Sequence, residues 1–209
     1  MTHRLTLVRH GQSVANREGV VQGHLDSPLS DLGRRQAAAL AAAWKAGGVR
    51  FDRLLSSPLL RARQTAEVFA LSLGLDLETD AIWMERDLGR AQGMPLADFL
   101  AASQRRPVHT PFEPAFENGE SAWDLHARAA RAVQAIVTRP AGEYLIVSHG
   151  GLLNAVLRVA LGIPPTAQRA PRFHFSNGGI ARIGMAADGS WALTDLVNST
   201  EGTSEEDEG

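Results

Sequence analysis

The chain has 209 residues, 21 basic and 23 acidic side chains and no cysteine, a length that suits one α/β domain with a substantial core. The lack of cysteine excludes disulfides, thiolate zinc sites and cysteine nucleophiles. Near-neutral charge argues against a nucleic-acid partner, which needs a basic patch. No apolar run is long enough to cross a membrane, and no signal peptide is expected, because a strand pattern carrying Arg4 and Arg9 begins almost at once. A cytoplasmic protein is the expectation.

Lys45 is the sole lysine and lies at a helix end, in Trp-Lys-Ala-Gly-Gly. A nucleotide-binding loop of the glycine-lysine type is therefore excluded. Residues 201–209 hold five acids and no base and read as an acidic, disordered tail. Residues 1–200 show no repeat and no boundary, so a single domain is expected.

Residues 5–8 form a short apolar run that reads as a buried strand. It ends abruptly on Arg9, His10 and Gly11. Open α/β sheets bind ligands beyond the carboxyl ends of their strands, and glycine lets the backbone turn there. A loop follows to Ser30, an N-cap for a helix with Ala37, Leu40, Ala41 and Trp44 at helical spacing, stopped by Gly47-Gly48. Residues 51–56 read as the second strand. Ser57-Pro58 is expected to open the next helix, serine as cap and proline in the first turn.

Arg61 and Arg63 fall near that helix start. An arginine there opposes the helix dipole unless it serves an anion site, and Arg61 fits that role better than Arg63. Residues 75–78 suggest a strand. Glu85 follows the apolar Ile82-Trp83-Met84 and precedes Gly89 and Gly93, a weak acid-base candidate when taken alone. Residues 95–103 read as a short helix, and residues 105–119, with three prolines, as an irregular flap.

Glu120-Ser121 opens a long helix with Leu125, Ala129, Ala132, Val133 and Ile136 on one face. Residues 144–151 then repeat the opening device: an apolar strand runs into His149, Gly150 and Gly151, and a helix follows to residue 161. Strands are expected over residues 172–176, 179–185 and 191–197, the last two joined by an Asp188-Gly189 turn. Alternating strands and helices indicate a mainly parallel sheet covered on both faces.

If both strand-His-Gly junctions belong to central parallel strands, two imidazoles share one pocket. With Arg9, Arg61 and Glu85 they form a constellation suited to a dianion. Metal binding is disfavoured, because neither His-x-His nor His-Glu-x-x-His occurs and arginines repel a cation. A serine hydrolase lacks its Gly-x-Ser-x-Gly elbow. A phosphoryl group explains every member: His10 as nucleophile, arginines and His149 on the equatorial oxygens, Glu85 as proton donor. No metal and no cofactor are expected.

These residues also resemble a family signature. Leu7-Val8-Arg9-His10-Gly11-Gln12-Ser13-x-x-Asn16 is similar to that of the histidine phosphatase superfamily, also called phosphoglycerate mutase-like. Gln22-Gly23, Pro28-Leu29-Ser30, Ser56-Ser57-Pro58-x-x-Arg61, Glu85-x-x-x-Gly89, Gly119-Glu120-Ser121 and Val147-Ser148-His149-Gly150-Gly151 follow in family order. The resemblance implies a three-layer α/β/α sandwich. It also implies a phosphorylated His10, a phosphate pocket of Arg9, Arg61 and His149, and Glu85 as proton donor. Asn16, Gln22, Gly23 and the Gly150 amide would approach substrate or phosphate.

Two departures bear on function. Ala91-Gln92-Gly93 stands where many phosphatases have Trp-Glu-Gly, which bears on the local substrate contacts. No lysine-bearing insertion of the glycolytic mutases follows Glu85 and the chain is shorter, which favours a phosphatase acting on a small phosphorylated metabolite over a phosphoglycerate mutase. A silent phospho-ligand binding protein is the third alternative, although none of the five residues is missing. Arg17, His24, Trp83, Arg86 and Arg90 are candidates for the pocket mouth. Monomer and homodimer both stay open.

Overall fold

The computed structural model describes residues 2–104, 110–166 and 171–198. Part of the expected flap, residues 105–109, and the acidic tail lie outside the described residues. Strand β1 (Arg4–Arg9) is followed by a short helix α1 (Val14–Arg17), helix α2 (Asp31–Ala46), strand β2 (Arg53–Ser56), helix α3 (Leu60–Leu73) and strand β3 (Leu77–Thr79). Two single 3₁₀ turns (Ala81–Trp83 and Gly89–Ala91) lead to helix α4 (Leu96–Gln104). Helix α5 (Ala122–Val137), strand β4 (Glu143–Ser148), helix α6 (Gly150–Ala160) and strands β5 (Ile180–Met185) and β6 (Trp191–Val197) complete the order.

The strands form one six-stranded sheet in the order β3-β2-β4-β1-β5-β6. The first four run parallel, and β5 and β6 pair antiparallel. Their alternating side chains feed two cores. Leu5, Leu7, Leu55, Tyr144 and Ile146 face α5 and α6. Val8, Leu54, Leu145 and Val147 face α2 and α3. Burial on both faces explains why these strands read as unbroken apolar runs. The result is a three-layer α/β/α sandwich.

The register of the central pair positions the site. Arg9 of β1 lies opposite Ser148 of β4, so the next residues, His10 and His149, leave adjacent strands at the same level. From this pair the chain departs toward β2 on one side and β5 on the other, the switch point where doubly wound sheets bind ligands. The loop after His10 packs against the start of α2 through glycine. A Cβ on Gly33 would collide with the backbone oxygen of Gln12, so this close approach requires that Gly33 have no side chain.

Three local expectations need correction. Ser57 does not cap α3; its N–H still donates to Val147 in the sheet at 3.0 Å, and Leu59 occupies the cap position without a side-chain bond. Residues 172–176 form no strand. Their carbonyls at Phe173, His174 and Phe175 accept from the side chains of Asn154, Asn198 and Arg9 instead of from a neighbouring strand. The strand expected at residues 75–78 shifts to Leu77–Thr79, because only there does the chain reach register with β2. Ser30 and Ser121 do cap α2 and α5, each accepting a bond from the helix backbone.

Candidate active site

At the C-terminal ends of β1 and β4 the rings of His10 and His149 lie edge-on with centroids 5.1 Å apart. Both are almost fully buried, as is Arg61 of the first turn of α3. His10 Nδ1 donates to the carbonyl of Gly11 at 2.7 Å. A carbonyl only accepts, so this contact places a proton on Nδ1 and, in the neutral ring, leaves the lone pair on Nε2. Arg61 Nε donates to that nitrogen at 3.2 Å, which agrees with the same tautomer. The Gly11 N–H is held in turn by Thr65 Oγ1 of α3 at 3.1 Å.

Arg61 is fixed by its other nitrogens. Nη1 donates to Leu25 O at 2.9 Å and Nη2 to Gly23 O at 2.8 Å. Burial brings its pKa down to about 10, so it stays charged at neutral pH. Arg9 donates to Phe175 O at 2.5 Å. His149 Nε2 is bonded to Ser57 Oγ at 2.8 Å, and its Nδ1 is buried with no hydrogen-bond partner among the described residues. A buried polar nitrogen of this kind calls for a ligand.

Burial, then Arg61 and Arg9, pushes the pKa of His10 well below the ordinary 6.5. Burial, Arg61 and His10 do the same to His149. The site thus holds two neutral imidazoles among cations. Both folded values lie below the unfolded one, so the unfolded chain binds more protons as pH drops below 6.5. Stability is therefore full above that point and is lost as pH falls toward the folded values, by up to about 1.4 kcal/mol per pH unit for each histidine. Thermal denaturation between about pH 7 and pH 5 should show this slope. Replacing both histidines with asparagine should flatten it, and an unchanged slope would contradict the assigned burial of neutral rings.

Glu85 reaches the same place from the loop before α4. Its carboxylate accepts from Arg86 N at 2.8 Å, Leu152 N at 3.0 Å and Gly151 N at 3.1 Å. It thereby supplies the first turn of α6 with the cap that His149, at the cap position, does not provide. Gly151 lets the chain come this close, since a Cβ there would lie 2.5 Å from Glu85 Oε1. The loop is buckled from behind. Arg128 of α5 donates to Met84 O at 2.6 Å and Glu85 O at 3.0 Å, and pairs with Glu120 at 2.7 Å. Arg86 donates to Glu120 O, and His24 Nε2 to Glu85 O at 2.7 Å.

The remaining expected residues stand around this centre. Asn16 Oδ1 and Gln22 Oε1 both lie 2.9 Å from Ser13 Oγ, whose single proton serves one of them at a time. Gly23 contributes its carbonyl to Arg61, and Gly150 begins α6 beside the Arg9 side chain. Among the pocket-mouth candidates, Arg86 lines a cavity next to the site. Trp83 is 1% exposed and belongs to the core. Arg17 and Arg90 pair with Glu18 and Glu117 at the surface.

Sequence reasoning missed Ser57 as a partner of His149, and Arg128 with Glu120 as the clamp on Glu85. It also missed Asn177, whose Nδ2 donates to His10 O at 3.2 Å. Arg128 carried a usable signal: it sits three residues after Leu125, beside the apolar stripe of α5 rather than opposite it.

Two histidines and two arginines around one concave end, with a carboxylate at its rim, can bind a tetrahedral dianion, attack it and move a proton. Comparison with known proteins agrees with this chemistry. The model of the histidine phosphatase superfamily (branch 1) matches residues 5–199. A Yersinia enterocolitica protein named "Probable phosphoglycerate mutase GpmB" is 32% identical over 181 residues, 85% of this chain and 82% of its own. The solved structure of a mycobacterial glucosyl-3-phosphoglycerate phosphatase superposes on 95% of this chain and 100% of its own, with a TM-score of 0.79 and 27% identity. Bacillus stearothermophilus YhfR does so over 92% and 95%, with a TM-score of 0.78 and 28% identity.

Proposed function

Since the chain belongs to the histidine phosphatase superfamily (branch 1), we propose that it is a phosphatase of small phosphomonoesters working through a phosphohistidine on His10. One observation carries this reading: a neutral, buried His10 whose Nε2 lone pair faces a pocket of cations. A neutral imidazole with a fixed lone pair is the nucleophile this chemistry needs.

In the first step His10 Nε2 forms a bond to phosphorus as the ester P–O bond breaks, and the leaving oxygen takes the proton of the Glu85 carboxyl. In the second step the Glu85 carboxylate takes a proton from water, water oxygen bonds to phosphorus and the N–P bond breaks. Inorganic phosphate leaves and His10 is again neutral. Arg9, Arg61 and His149 hold the equatorial oxygens, where negative charge spreads in the transition state. Asn16, Gln22, Gly23 and the Gly150 amide border the same phosphate. These fixed charges make a divalent ion unnecessary. The enzyme is cytoplasmic, and residues 1–200 act as one domain.

The relatives named as mutases favour a second reading, in which the phosphoryl group passes from His10 to a second hydroxyl of the substrate. Against it stands the absence of any lysine after Glu85. The two differ in product. With a phosphorylated hydroxy acid, in the presence of EDTA, released inorganic phosphate should account for most of the substrate consumed. Positional isomers forming faster than phosphate would favour the mutase, and loss of activity in EDTA restored by a divalent ion would overturn the metal-free site.

A further inference from the structure

Beside the phosphate pocket lies a cavity of about 630 Å³, a size that accommodates a ligand much larger than phosphate. Arg9, Gly150 and Gly151 line the cavity on the phosphate side. One wall is the face of α6 that carries Gly150, Asn154 and Arg158, four residues apart and so in a row. Apolar side chains line much of the rest, among them Phe99 of α4, Leu125 of α5, Phe173 and Phe175.

Charge returns further along. Arg158 stands eight residues after Gly150, roughly 12 Å along the helix axis, and Arg172 and His126 line the same cavity. No carboxylate is among the described residues lining it. Among the described residues Arg158 Nε is buried with no hydrogen-bond partner. Its Nη2 lies 3.4 Å from the carbonyl of Pro171, longer than an ordinary bond. Burial and Arg172 lower the pKa of Arg158, and burial and Arg158 lower that of His126. These cationic groups repel one another, and an anion among them would reverse the effect.

We infer that this cavity takes the alcohol part of the substrate, and that Arg158, with Arg172 and His126, binds a second anionic group at its far end. The favoured substrates are then bulky, partly apolar phosphomonoesters ending in a carboxylate or second phosphate. This rests on the reading that the scissile phosphate sits at His10.

The test compares n-alkyl phosphates with ω-carboxyalkyl phosphates and alkane-α,ω-bisphosphates of matching length. The wild-type protein should prefer the anion-ended esters by about 10- to 100-fold in kcat/KM at the length that spans two helical turns. Arg158→Gln should remove most of that preference, chiefly through KM. Equal wild-type rates on neutral and anion-ended esters, or an Arg158→Gln loss shared by both, would overturn the inference. Calorimetric titration with the matching non-hydrolysable phosphonates reads the cavity without turnover. If no ester is hydrolysed, the His10 reading fails, while a tighter ω-carboxyalkylphosphonate that weakens in Arg158→Gln still supports the anion site. Equal affinities for the two phosphonates would overturn it.

Discussion

Replacing His10 with alanine should lower turnover of every phosphomonoester by roughly 10,000-fold or more, because the covalent route is removed and not merely slowed. The ring is buried beside His149 and Arg61, and the bond from its Nδ1 to Gly11 O leaves the lone pair on Nε2. Arg9, Arg61 and His149 remain, so the variant should still bind inorganic phosphate or vanadate. That separates lost chemistry from lost folding. Full activity in His10→Ala would end the proposed mechanism.

The second large effect is expected from Glu85→Gln, and its size depends on the leaving group. An amide cannot donate a proton as a carboxylic acid does, so alkyl and sugar phosphates should slow by about 100- to 10,000-fold. Aryl phosphates leave with little protonation and should suffer less in the first step. Water activation in the second step would still be impaired, so phosphoenzyme should accumulate with aryl substrates. A purely structural role predicts otherwise. The carboxylate caps α6 through Gly151 and Leu152, and the loss of one such bond, about 1 kcal/mol, would affect alkyl and aryl substrates alike. Equal losses on both classes with no trapped phosphoenzyme would leave Glu85 a positioning residue only.

The centre of the site was legible because one device occurs twice. An apolar strand ending in His-Gly needs only a parallel neighbour in the same register to place two rings side by side, and β1 and β4 provide it. The two-faced burial of the central strands was legible for the same reason, since buried parallel strands carry apolar residues continuously. Arg61 was legible through its conflict with the α3 helix dipole.

What was not legible depends on contacts between residues distant in sequence. Arg128 reads as an ordinary polar position until α5 packs against the Glu85 loop. Ser57 reads as a cap, but its hydroxyl accepts from the N–H of Leu59, ahead of the helix, and meets His149 on its other side. Residues 172–176 alternate like a strand, yet the edge they would need is taken by β5, paired directly to β1. Trp83 stands in a loop pattern but is buried against α5 and α6. The cation-lined cavity joins α4, α5, α6 and the 172–175 segment, and nothing local in any of them announces it.

Identification of the phosphorylated atom tests the mechanism most directly. The protein would be mixed with labelled aryl phosphate, quenched in base within the first turnover, digested and mapped, using the wild-type chain and Glu85→Gln. Expected is one acid-labile, base-stable label on Nε2 of His10, present at higher occupancy in Glu85→Gln and absent from His10→Ala. Label on any other residue, or turnover by the wild-type protein with no labelled histidine in either form, would contradict a phosphohistidine enzyme.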